Sequence, residues 1–446
     1  MIKRFLLLLV LIPSFLQSQH SIKGMLTPSE NFSWILLYKI KDGKQIYLDN
    51  AEVNNGAFEF TIPASESPGV YKVFYELENQ LYVEFIFNKE NVEFTFDPYD
   101  PANSMDFLES NENILNQKYY NSITNKQQEL DSLQVAYFNM ADSKSLKNIR
   151  KSYKEKVEEV NAVQLSFENL SKAKLANNFI RASKQYNPKN PIRTPDDYLI
   201  QVKKHFFDAI DFEDPVLLNS TIVSDKIMDF IFYLNQNNDL KTLDEMQKES
   251  INISLSKIGS KLDFKKNVEE NILDQYATEQ NEEMVNFMLT NHYDNLPIAL
   301  QNDALRRYVL SEIKTAVGKE APNITWEENG VIKNLYDLNV ADYYIVVFYS
   351  SGCPHCQVEI PVLYDFIKDV PNIKVIAIGL EDEKTSWVEM SNGFKKFTNI
   401  LDLNKWESKR VGDYGISNIP NYFILDKEKI IIAKPEDVEE LKKYFP

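Results

Sequence analysis

Two cysteines in 446 residues exclude a disulfide-stapled scaffold and leave a structural zinc site short of thiolate ligands. Histidine is nearly as scarce, with four copies, and neither His205 nor His292 has a second histidine or cysteine three or four positions along. Twelve glycines rule out collagen composition. Basic residues number 49 against 66 acidic ones, and a net charge of −17 repels phosphate backbones, so no nucleic-acid partner is expected. Beyond the N-terminus no apolar run approaches the roughly 18 residues of a spanning helix. What is present is 43% apolar residues, ordinary for a globular chain of two to four domains.

The N-terminus itself reads MIKRFLLLLVLIPSFLQSQH: Lys3 and Arg4, an apolar stretch from Phe5 to Leu11, a break at Pro13 and a small residue, Ser18, at a cleavage position. That pattern predicts a secretory signal peptide over 1–19, with no transmembrane domain beyond it. The mature chain is then expected in the periplasm, where disulfide chemistry is permitted.

Three textures follow. Over 20–102 short aromatic and β-branched runs such as GAFEFTIP and GVYKVFYEL alternate with KDGK, NNG and SPG turns, predicting an antiparallel β-sandwich. Over 103–318 apolar residues recur at helical spacing, predicting a central α-helical domain with helices near Ser143–Ala173 and Asn302–Val317. In TPDDYLIQVKKHFFDAI, Thr194 suits the cap, Pro195 the first turn and Asp197 the capping-box position. Over 319–446 strands (YYIVVFYS, IKVIAIGL, NYFILD, KIIIAK) alternate with helices, the last beginning at Pro435, which predicts an α/β domain. The whole is a multidomain α+β chain.

Both cysteines fall in SSGCPHCQVEIP, where the first buried strand hands over to a helix. A ring closed around Pro354 and His355 is too small to stabilise a chain this long by loop entropy. Zinc lacks a second ligand pair. A redox dithiol remains. Cys353 is expected at the helix N-cap, where unpaired N–H groups and the helix dipole favour its thiolate, and Cys356 one turn on, able to attack a mixed disulfide. Pro354 suits the first turn, and a protonated His355 would tune the Cys353 thiolate further.

From Ala321 onward the chain resembles the thioredoxin superfamily, and within it the exported TlpA/ResA-like thiol-disulfide oxidoreductases. The resemblance is carried by VVFYSSGCPHC, by the spacing of Cys353, Cys356, Glu359 and Pro361, and by YGISNIPNYFILD. It implies a thioredoxin-like fold for 319–446, Pro420 as the cis-proline beside the dithiol, and Ile419 as backbone for an incoming substrate strand. It also implies Glu359 as the acid that serves the thiols. Gly352 stands where the family carries tryptophan, Asn421 where threonine is frequent, and Val347 where thioredoxins bury an acid. The implied activity is exchange with protein thiols or disulfides, with a redox partner in the membrane or periplasm and no cofactor. The resemblance favours reduction, while the Pro-His dipeptide pulls toward oxidation. The alternative is a non-enzymatic surface binding protein in which the β-sandwich and helical domains carry the function.

Overall fold

The computed structural model describes residues 19–77, 79–368 and 370–445, so the expected signal peptide lies outside the described residues up to position 18. The chain divides into two compact units at Val268/Glu269.

In the first unit, strands β1 (Gln19–Leu26), β2 (Trp34–Lys41), β3 (Lys44–Glu52), β4 (Ala57–Pro63), β5 (Gly69–Glu76), β6 (Leu81–Phe87), β7 (Val92–Phe96) and β8 (Asp106–Glu109) form two four-stranded sheets. Their orders are β4-β1-β7-β8 and β3-β2-β5-β6. Strand β4 alternates exposed and buried residues without a break, and Phe58, Phe60 and Ile62 enter a core with Tyr71, Phe85 and Phe94. One feature departs from the antiparallel expectation: β1 and β7 pair in parallel, Ile22 opposite Val92 through Leu26 opposite Phe96. Such a pairing joins distant strands, and nothing in a local run of residues encodes it.

Helices α1 (Asn111–Asn139) and α2 (Ser143–Leu170) follow, then α3 (Pro195–His205) and α4 (Leu240–Ile258). Asn113 anchors α1 to the sandwich, its amide accepting from the Ile86 N–H and donating to the Ile86 carbonyl, both at 2.7 Å. At the start of α3 Thr194 is the cap read above: its Oγ accepts from the Asp197 N–H at 3.2 Å and donates to the Asp197 carboxylate at 2.7 Å. His205 stacks on Tyr186 and contacts Asp208 at 2.6 Å, a contact that occupies Nδ1.

The second unit contains helices α5 (Glu282–Asn291) and α6 (Asp303–Lys314), a hairpin of β9 (Thr325–Glu328) and β10 (Val331–Asn334), and the sheet that bears the cysteines. That sheet has the order β13-β12-β11-β14-β15, from β11 (Tyr343–Tyr349), β12 (Ile373–Leu380), β13 (Thr398–Asp402), β14 (Asn421–Leu425) and β15 (Ile431–Ala433). The first three run parallel and β14 and β15 antiparallel to their neighbours. Strand alternation sends Ile345, Val347 and Tyr349 to one face, under α7 (Pro354–Ile367), and Tyr344, Val346 and Phe348 to the other. Both faces are covered, which explains why β11 reads as a continuous apolar run.

Helices α8 (Thr385–Ser391), α9 (Lys409–Tyr414) and α10 (Val438–Lys442) complete the domain. Strand β13 was not legible beforehand, since TNILD is short and half polar. The closing helix begins at Val438, not at Pro435: Asp437 is its cap, its carboxylate accepting from the Glu440 N–H at 2.7 Å. An N-cap with a side-chain acceptor outweighs the first-turn preference of proline.

Candidate active site

The site is assembled at the edge where the three parallel strands end. Cys353 is the N-cap of α7, with extended backbone (φ −87°, ψ 118°) and Pro354 in the first turn. Its sulfur accepts the Cys356 N–H at 3.4 Å, taking up one of the helix's unpaired donors, and lies 3.8 Å from the Ile419 carbonyl oxygen. Both thiols are free; Cys353 is half-buried and Cys356 fully buried. His355 projects into solvent between them. The Ile419–Pro420 bond is cis, and Pro420 directly follows the carbonyl that meets the Cys353 sulfur.

Burial pushes the Cys356 thiol up to about 12, and its hydrogen bond with the Cys353 sulfur pushes in the same direction. Glu359 sits on the same helix three residues on, its carboxylate accepting from the Val438 N–H at 2.9 Å. Tyr422, on β14, places a buried hydroxyl near both groups: burial raises its pKa, and the Glu359 and Cys356 charges raise it further. The structure therefore gathers Cys353, Cys356, Glu359, Ile419 and Pro420 into one region and leaves His355 on its outer surface.

Sequence reading missed the support beneath the motif. Glu381, the residue after β12, is 6% exposed, and its carboxylate accepts from the Ser351 N–H at 2.5 Å, the Ser351 hydroxyl at 3.0 Å and the Ser350 hydroxyl at 3.2 Å. Gln357 closes the same turn by donating to the Ser351 carbonyl at 2.8 Å. The turn that delivers Cys353 is thus held by a buried acid from the neighbouring strand. In the sequence that acid opens the run Glu381-Asp382-Glu383, which reads as a solvated charge cluster. Glu381→Leu is expected to leave three donors unpaired and destabilise the protein by about 3 kcal/mol. Chemical denaturation of the variant checks this; an unchanged midpoint would remove Glu381 from the account.

Gly379 is the second hidden requirement. A Cβ there would lie 2.3 Å from the indole of Trp387, so the strand approaches α8 more closely than any larger residue permits. Among the described residues no group of His, Cys, Asp and Glu has a metal-binding arrangement. No helix among them is long and apolar enough to cross a membrane.

Comparison with known proteins adds two family matches. Residues 341–431 match a thioredoxin-like family model, and residues 20–127 match a domain of unknown function, DUF4369. No curated protein matches the chain. Among solved structures, a domain of a possible thiol-disulfide isomerase from Cytophaga hutchinsonii is 34% identical, over 29% of this chain and 90% of that one, with a TM-score of 0.26. A thioredoxin-like protein from Bacteroides caccae is 20% identical over 58% of this chain and 96% of its own, with a TM-score of 0.40. A thiol:disulfide interchange protein from a Bacteroides species is 24% identical over 29% and 88%, with a TM-score of 0.26.

Proposed function

The chain belongs to the thioredoxin-like proteins and is a thiol-disulfide oxidoreductase, and from that premise we propose that it reduces disulfides of protein substrates outside the cytoplasm through Cys353 and Cys356. The observation that carries this reading is the asymmetry of the two thiols. Cys353 is partly open at a helix N-terminus, and Cys356 is sealed one turn behind it.

In the proposed cycle the Cys353 thiolate attacks one sulfur of a substrate disulfide. A Cys353–substrate S–S bond forms, the substrate's own S–S bond breaks, and the other substrate sulfur leaves as a thiolate that takes up a proton. Cys356 then loses its proton and attacks the Cys353 sulfur. The intramolecular disulfide forms, the second substrate thiol departs, and two electrons have passed to the substrate. A dithiol partner in the membrane or periplasm restores the reduced state.

The reductive direction is supported by the resemblance of the Cys353, Cys356, Glu359 and Pro361 spacing to exported thiol-disulfide oxidoreductases that reduce their substrates. His355 would favour the thiolate when protonated, but it stands exposed, where solvent screens its charge. Export is supported by the N-terminal Lys3-Arg4 pair and the apolar stretch behind it.

Redox titration against glutathione checks the direction. The expected potential is on the order of −250 mV, toward the value of reducing thioredoxins, and a value near −120 mV would make the protein an oxidant. Insulin reduction checks the activity itself: with dithiothreitol present, the protein is expected to accelerate insulin precipitation severalfold over the reductant alone.

A further inference from the structure

Within the second unit lies a groove of about 520 Å³ that the catalytic cycle above does not use, and its lining ends at Ser417, two residues before Ile419. One wall is α6, presenting Arg307 and Tyr308; the other is built by Trp406 and Gly412, and Ile416 and Ser417 close it toward the Ile419–Pro420 loop. Helix α6 precedes the residues matched by the thioredoxin-like family model.

Topology places the groove at the reacting edge. Strands β11, β12 and β13 are parallel, so the turn carrying Cys353 and the Leu403–Ser408 turn carrying Trp406 leave the sheet at the same end, with α7 and α9 on its opposite faces. Asn421 pairs opposite Phe348, bringing the 415–420 segment to that same edge. Ser417 is two residues from Ile419, at most about 7 Å along the chain. The Ile419 carbonyl is 3.8 Å from the Cys353 sulfur. A strand rises about 3.3 Å per residue, so an extended peptide held at Cys353 reaches the groove within about four residues of its cysteine.

The seam between the walls is built for close contact. Gly415 has φ +67°, and a Cβ on it would fall 2.3 Å from the Ser311 hydroxyl of α6. Lys434 pairs with Glu312 at 2.6 Å, and Lys314 with Asp413 at 3.1 Å. The groove therefore has firm walls. Its interior is of mixed character, with Ile416 buried, the Trp406 indole 45% exposed and the Arg307 side chain open to solvent.

We propose that this groove binds the extended segment of the protein substrate flanking its disulfide, taking an apolar or aromatic side chain against Trp406 and Tyr308. The proposal rests on the oxidoreductase reading and deepens it: substrates are polypeptides chosen partly by the sequence near the reacting cysteine. The two-residue step from Ser417 to Ile419, whose carbonyl lies 3.8 Å from the Cys353 sulfur, selects this occupant over a second copy of the chain or a small molecule.

Gly412→Phe tests it, because a Cβ at Gly412 meets nothing within 4 Å and the added ring fills the groove without displacing backbone. Trp406→Ala is the complementary variant. The readout is the ratio of kcat/KM for insulin to kcat/KM for 5,5′-dithiobis(2-nitrobenzoate), a small disulfide too short to span from Cys353 into the groove. A ratio is insensitive to the fraction of folded enzyme. Each variant is expected to lower it about tenfold, mainly through KM for insulin. An unchanged ratio in Gly412→Phe overturns the groove assignment while leaving the oxidoreductase reading intact. Wild-type protein inactive on both disulfides would overturn that reading, and the groove with it.

Discussion

Cys356→Ser is expected to leave the protein covalently trapped on its substrates, whereas Cys353→Ser traps none and loses at least about 10³-fold in insulin reduction. The difference follows from position on one helix turn. Cys353 is the cap residue: its sulfur already accepts a backbone N–H at 3.4 Å, and the 14-residue helix behind it presents its positive end there. Attack from outside can be made only by this sulfur, because Cys356 is fully buried beneath it. With Cys356 gone the first exchange proceeds and the second has no nucleophile, so mixed disulfides accumulate and appear on non-reducing gels. Serine at 353 supplies no thiolate, and the buried Cys356 cannot replace it. Equal trapping by the two variants would reverse the assignment. Serine at 356 adds a buried hydroxyl that costs about 1–3 kcal/mol, so circular dichroism of both variants accompanies the gels.

What was legible in the sequence was what short stretches of chain encode. The Cys353–Pro354 cap, the Thr194 cap and the alternation of β4 each depend on neighbours within four residues, and each stands in the structure as read. The fold class was legible for the same reason, since periodicity changes twice along the chain. The features that escaped are closed by distant partners. Glu381 acquires its role from Ser350 and Ser351, thirty residues earlier, and by itself resembles any surface glutamate. Tyr422 reads as an ordinary strand aromatic until the sheet sets it near Glu359 and Cys356. The parallel β1–β7 pair and the wall contributed by α6 are likewise products of tertiary closure.

Glu359→Gln is expected to slow the second half of the cycle by about 10²-fold at pH 7 and to make it steeply dependent on pH. The thiol of Cys356 is raised to about 12 by burial, and it must be deprotonated before it attacks the Cys353 sulfur. Unaided, only a small fraction of molecules would hold the thiolate at pH 7, because burial keeps the raised pKa well above that pH. A carboxylate on the same helix face, fixed by the Val438 N–H at 2.9 Å, can take the proton as the sulfur attacks. Glutamine keeps the shape and cannot accept it. The variant's rate should then rise about tenfold per pH unit below the thiol's raised pKa, because only the growing thiolate fraction carries the reaction, while the wild-type profile is flatter. The usable range is bounded above. A raised pKa means the folded state holds this proton more tightly than the unfolded one, so that contribution to stability is complete below the ordinary thiol value of 9.0 and is lost as pH rises toward about 12. Measurements between pH 6 and 9 avoid that loss. The mixed disulfide of Cys353 with 5-thio-2-nitrobenzoate reports the step directly, since attack by Cys356 releases a coloured thiolate. Coincident rates and profiles in wild type and variant would leave Glu359 as a helix residue that only caps α10.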